Sequence, residues 1–98
     1  MSDAASPGAA DAGIGALRRT LKITNKRGLH ARAAAKFVRT AGQFDSVIRV
    51  GFKGQEVSGL SIMGLMMLAA GIGSNIFVAI SGAEHAAAMA AIEALIND

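Results

Sequence analysis

The feature that most constrains this chain is a run without charge: from Val57 to Ala83 there is no Asp, Glu, Lys or Arg. Such a window is long enough to span a bilayer. Its composition argues against that. Gly59, Gly64, Gly71, Gly73 and Gly82 interrupt it, Ser74 and Asn75 sit in its middle, and its nearest flanking charges are Glu56 and Glu84 rather than anchoring Lys or Arg. The run reads instead as a core helix followed by a core strand, so neither a membrane span nor a membrane partner is expected. A chain of 98 residues cannot wrap two separate cores, and one domain is expected.

The remaining segments supply the other elements. Residues 1–17 are rich in Ala, Gly, Ser and Asp without periodicity and are expected to form a flexible N-terminal tail, with the domain proper over 18–98. The first strand follows from the alternation of Leu21 and Ile23 with Lys22 and Thr24. Asn25 to Leu29 is a basic, Gly-containing turn. Ala34, Phe37, Val38 and Ala41 then recur at i, i+3, i+4 and i+7, one apolar helical stripe, with Arg32, Lys36, Arg39 and Gln43 off it. Gly42 is expected to end this helix in a left-handed conformation.

Val47–Val50 reads as a second strand, Phe52-Lys53-Gly54 as a hairpin turn, and Gln55–Ser58 as a third strand. Ser61 opens a short helix expected to run to about Ala70, stopped by Gly71 and Gly73. Ile76, Val78 and Ile80 mark a fourth strand, and Ala83–Asn97 a last helix with Met89, Ile92 and Ile96 as its stripe. The order strand, helix, strand, strand, helix, strand, helix predicts an α+β domain with helices on one face of an antiparallel sheet.

Charge is unevenly placed. All ten Lys and Arg residues fall between Arg18 and Lys53, and after Lys53 only acids appear. One half of the molecule therefore presents a positive field suited to an anion or an acidic partner. The chain has no cysteine, which removes disulfides, thiolate chemistry and cysteine-ligated metals.

Imidazole chemistry is left to His30 and His85. His30 stands at the head of the first amphipathic helix, where unpaired N–H groups point forward and the helix dipole is positive. A phosphate bound there meets ready-made donors. Arg32, in the first turn, is able to fold back onto a phosphoryl oxygen, and Lys26 and Arg27 add charge from the preceding turn. An ordinary polar cap is the competing reading of His30 on position alone. His85 lies beside Glu84 among alanines, without basic neighbours, and reads as a solvated surface residue.

The segment Gly28-Leu29-His30-Ala31-Arg32, continued by Ala34-Ala35-Lys36-Phe37-Val38, closely resembles the active-site segment of the HPr family, the histidine-containing phosphocarriers of the bacterial phosphotransferase system. Leu60-Ser61-Ile62-Met63-Gly64-Leu65-Met66-Met67-Leu68 resembles that family's regulatory-serine helix, at the matching separation from His30. The resemblance covers about Leu21 to Ile96. It implies an open-faced β-sandwich of order βαββαβα, with three helices on one face of a four-stranded sheet. It implies that His30 accepts a phosphoryl group on Nδ1 from phosphorylated enzyme I and passes it to an enzyme IIA domain, with Arg32 orienting the group. It further implies modification of Ser61 by an HPr kinase where that kinase exists, and a cytoplasmic monomer that is a carrier rather than an enzyme, with no cofactor. Two positions depart from the family pattern. Ala33 stands where Pro is usual, which loosens the first turn, and Arg27 stands where a small polar residue is usual, which adds charge.

The helix opened by Ser61 carries no charge on any side. A short helix on one sheet buries a single stripe, for which Leu65 and Leu68 are the natural pair. Ile62, Met63 and Met66 then face outward or pack under neighbouring loops; an exposed docking patch is the favoured reading, since Met side chains adapt to several partners. Ser61 has a plain role as helix N-cap, and its regulatory role rests on the resemblance.

Rival chemistries fit less well. The nucleophile elbow of a serine hydrolase needs Gly where Met63 stands. The two histidines lack any metal-ligand spacing, and no metal is expected. The seven acids are scattered, with no pair suggestive of a glycosidase. A basic phosphatase-like domain of similar topology would release phosphate rather than hold it. A small basic nucleic-acid- or anion-binding α+β module is the alternative, but the four aromatics, all Phe, form no stacking motif, and no nucleic-acid partner is expected.

Overall fold

The computed structural model describes residues 15–97. The element order is β1 (Ala16–Lys22), α1 (Ala31–Ala41), β2 (Val47–Phe52), β3 (Gln55–Ser58), α2 (Ile62–Met67), β4 (Asn75–Ser81) and α3 (His85–Ile96). The strands form one antiparallel sheet in the order β1-β4-β2-β3. Thus the last strand to be made lies between the first two, and the sheet closes only when the chain up to Ser81 is present. The expected tail, residues 1–17, lies mostly outside the described residues, but Ala16 and Leu17 already belong to β1, so the ordered sheet begins two residues before the expected boundary.

Alternation along the strands sets the core. Leu21 of β1, Ile48 and Val50 of β2, and Ile76, Val78 and Ile80 of β4 are buried on one side of the sheet. The helices meet them there with Ala34, Phe37 and Ala41 of α1, Leu65 of α2, and Ala88, Met89, Ile92 and Ile96 of α3. Every side chain of this core is apolar, which avoids the cost of desolvating polar groups. The charge-free run is therefore α2 and β4, as composition predicts. Among the described residues no helix is long and apolar enough to cross a membrane.

Three local expectations are corrected. Gly42 caps α1 in a right-handed conformation, φ −72°, because its N–H still donates to Val38 O at 2.9 Å and the chain leaves through tight turns at Gln43 and Phe44. Helix α2 ends at Met67 rather than Ala70: Ala69 takes φ +56°, which stops the helix before the glycines are reached. The last helix starts at His85 rather than Ala83. The β2–β3 hairpin turns on Lys53 and Gly54, both at positive φ (50° and 81°), the pairing that a two-residue loop needs to match strand twist.

Candidate functional site

The loop from Asn25 to Leu29 is held by its own polar groups. The Arg27 N–H donates to Asn25 Oδ1 (3.2 Å), Asn25 Nδ2 donates to Gly28 O (3.0 Å), and the Gly28 N–H donates to Asn25 O (3.0 Å). Gly28 takes φ +67°, and a Cβ there would lie 2.3 Å from Ala70 O and 2.7 Å from Gly71 Cα. Only glycine permits that approach. The Leu29 N–H then donates to Ala70 O at 3.0 Å, so the segment leaving α2 is the seat on which the loop rests. From the other side, Thr24 Oγ1 donates to Ile96 O at the end of α3 (3.0 Å).

This loop delivers His30 as the N-cap of α1, with extended backbone (φ −77°, ψ 179°). Its carbonyl accepts the first helical hydrogen bond, from the Ala34 N–H at 2.8 Å. The amides of Ala31, Arg32 and Ala33 precede that bond and have no helix carbonyl to meet. No acidic residue occupies the first turn. The His30 side chain makes no capping hydrogen bond, which sets aside the reading of His30 as an ordinary polar cap. The half-buried imidazole instead lines an open cavity of about 310 Å³.

Arg27, Arg32 and Lys36 line the same cavity, whose apolar wall includes Ile23, Leu95 and Ile96. Among the described residues none of these three cations makes an ion pair; the pairs formed are Arg19–Glu93 and Arg49–Glu56. Arg27 and Arg32, singled out from sequence, are thus gathered at His30. Asn25, Lys36, Leu95 and Ile96 were not singled out. Asn25 was detectable as a polar residue three before a turn glycine, and Lys36 as the residue one helical turn beyond Arg32. Nothing local points to Leu95 and Ile96, which come from the far end of the chain.

Ser61 lies elsewhere, at the N-cap of α2, where its Oγ accepts from the Gly64 N–H at 2.9 Å. Its plain structural role is therefore real. Around it α2 exposes Ile62 (40%), Met63 (67%) and Met66 (38%), as expected of a docking patch, while Leu65 and Leu68 are buried. The patch is wider than the sequence suggested, since Leu60, Met67 and Ile72 are also exposed. His85 is not simply solvated: its Nδ1 donates to Gly82 O at 2.9 Å at the start of α3. Among the described residues no group of acids and histidines is placed to hold a metal ion.

An open imidazole at a helix head and cations without ion pairs among the described residues thus share one surface mouth, the class of site that suits an anion at the protein surface rather than an enclosed substrate. The comparisons with known proteins agree. Residues 17–98 match the family described as the PTS HPr component phosphorylation site. The chain is 51% identical over 81 residues to the phosphocarrier protein HPr of Neisseria meningitidis serogroup A, covering 83% of this chain and 91% of that protein. It is 49% identical over 80 residues to the HPr of Cupriavidus necator, covering 82% and 90%. The crystal structure of HPr from Bacillus anthracis superimposes with a TM-score of 0.79 at 36% identity, over 83% of this chain and 96% of that one. The chain belongs to the HPr family, the phosphocarriers of the phosphotransferase system, which pass a phosphoryl group on without turnover of their own.

Proposed function

We propose that His30 accepts the phosphoryl group from phosphorylated enzyme I and hands it to an enzyme IIA domain. The supporting observation is the His30 N-cap whose imidazole is free of any cap bond and shares a cavity with Arg27, Arg32 and Lys36. In the forward step the Nδ1 lone pair attacks phosphorus, the bond to the donor breaks as the new N–P bond forms, and the phosphoryl oxygens meet the first-turn amides and the Arg32 guanidinium. Charge on the phosphoryl group is then balanced by the helix end rather than by a metal or cofactor. The reverse geometry serves the second transfer, because the site is open and a second protein is able to approach the same face.

Ile62, Met63 and Met66 form the docking patch beside it. Flexible Met side chains suit a surface that receives several partners in turn. Ser61 is the regulatory position in this reading. An HPr kinase would place about two negative charges at the head of α2, against the docking surface, where they repel an acidic partner. The protein acts as a cytoplasmic monomer.

Incubation with phosphoenolpyruvate and enzyme I, followed by mapping of acid-labile phosphate, tests the proposal. Label on His30 is the expected result. Label elsewhere, or release of inorganic phosphate without a phosphorylated carrier, overturns it.

A further inference from the structure

Among the described residues the second face of the sheet carries no helix, and the register shows what it presents. Phe77 on β4 stands between Thr20 of β1 and Gly51 of β2, and Lys22 is the partner of Asn75. The Arg18 guanidinium lies 4.4 Å from the centroid of the Phe77 ring. Gly51 brings no side chain to the other flank of Phe77; a Cβ there would sit 3.8 Å from Phe77 Cβ. The space left open is part of a hollow of about 340 Å³ lined by Gly51, Phe52, Lys53, Asn75 and Phe77, among others. Glu56, the only acid in the four strands, is engaged by Arg49 at 3.3 Å. Lys22 and Lys53 make no ion pair among the described residues.

We propose that this face is a second docking surface, fitted to an acidic segment of a partner protein. One apolar side chain of the segment fills the hollow beside Phe77, and its carboxylates lie against Lys22 and Lys53. An apolar seat with a basic rim is the arrangement in which a buried anchor supplies affinity and the surrounding charge supplies steering. Single-stranded nucleic acid, the other polyanion to consider, is less well matched. Base stacking needs an open ring face, whereas the Arg18 guanidinium covers one face of Phe77. The surface lies across the sheet from the helices and from His30, so a partner bound there leaves the phosphoryl site free.

The test is an NMR titration of the full chain with a capped peptide of four glutamates around one phenylalanine, against a uridine octanucleotide. The expected result is peptide-induced shifts at the amides of Thr20, Gly51, Asn75 and Phe77. Gly51→Val, which fills the hollow, and the double variant Lys22→Glu/Lys53→Gln each weaken the peptide at least tenfold, while phosphorylation of His30 keeps its rate. The proposal is overturned by shifts confined to the His30 loop and α1, by affinity unchanged in both variants, by no shift at millimolar peptide, or by tighter binding of the octanucleotide. It is equally overturned if the same amides shift with protein concentration alone, which assigns the face to a second copy of the chain.

Discussion

Helices α1 and α2 pack on the same face of the same sheet, yet they meet solvent in opposite ways. Helix α1 buries Ala34, Phe37 and Ala41 and turns Arg32, Lys36 and Arg39 to water, the arrangement that costs a soluble domain least. Helix α2 buries Leu65 and leaves Ile62, Met63, Met66 and Met67 exposed. Leaving apolar surface in water forgoes about 25 cal/mol for every Å² that could have been buried, so folding alone gives no reason for that patch. Under the proposed function the difference is a division of labour. The head of α1 would supply field and donors for an anion and α2 apolar area for recognition, while the Leu29–Ala70 hydrogen bond ties the two together.

That division is breakable, most decisively at His30. His30→Ala is expected to abolish acid-labile labelling by phosphoenolpyruvate and enzyme I while the fold persists; residual label would place the chemistry elsewhere. Gly28→Ala attacks the link between the regions, since the new Cβ meets Ala70 O at 2.3 Å. A loss of about 3 kcal/mol in urea unfolding is expected, and an unperturbed midpoint would show that the exit of α2 does not seat the loop. Arg32→Ala is expected to slow labelling about 100-fold, roughly 2.7 kcal/mol of transition-state stabilisation, with little change in enzyme I affinity. Met63→Asp reverses that pattern: a roughly tenfold weaker Kd for enzyme I, about 1.4 kcal/mol, read by calorimetry. If Arg32→Ala moved the Kd and Met63→Asp did not, the comparison would be inverted. The smallest effect is at Ser61. Ser61→Ala, which removes the Oγ bonded to the Gly64 N–H, is expected to cost about 1 kcal/mol of stability. Ser61→Asp keeps a capping oxygen and the stability, but slows labelling by its charge.

The element order was legible in full because each strand and helix carries its own period. The errors sit at element ends. The end of α2 was misplaced because the glycines at 71 and 73 look like natural stops, whereas Ala69 leaves the helix first to present the Ala70 carbonyl to Leu29. Gly42 was misread for a related reason: glycine permits a left-handed cap without requiring one. At the site, His30, Arg27 and Arg32 were readable since they belong to one turn and one helix start. Lys36 was passed over as a solvated residue of the polar face, though it lines the cavity.

By itself the sequence determined the alternating strands, the amphipathic α1, the charge-free α2 and a histidine at a helix head among cations, all of which depend on neighbours within a few residues. Only the tertiary structure decided that β4 enters between β1 and β2, that Leu95 and Ile96 wall the His30 cavity, and that Gly28 rests against Ala70. The physical reason is range. Periodicity and capping act over one or two turns, whereas those contacts join segments separated by roughly twenty-five to seventy residues, and they exist only where burial of a shared apolar core brings the segments together.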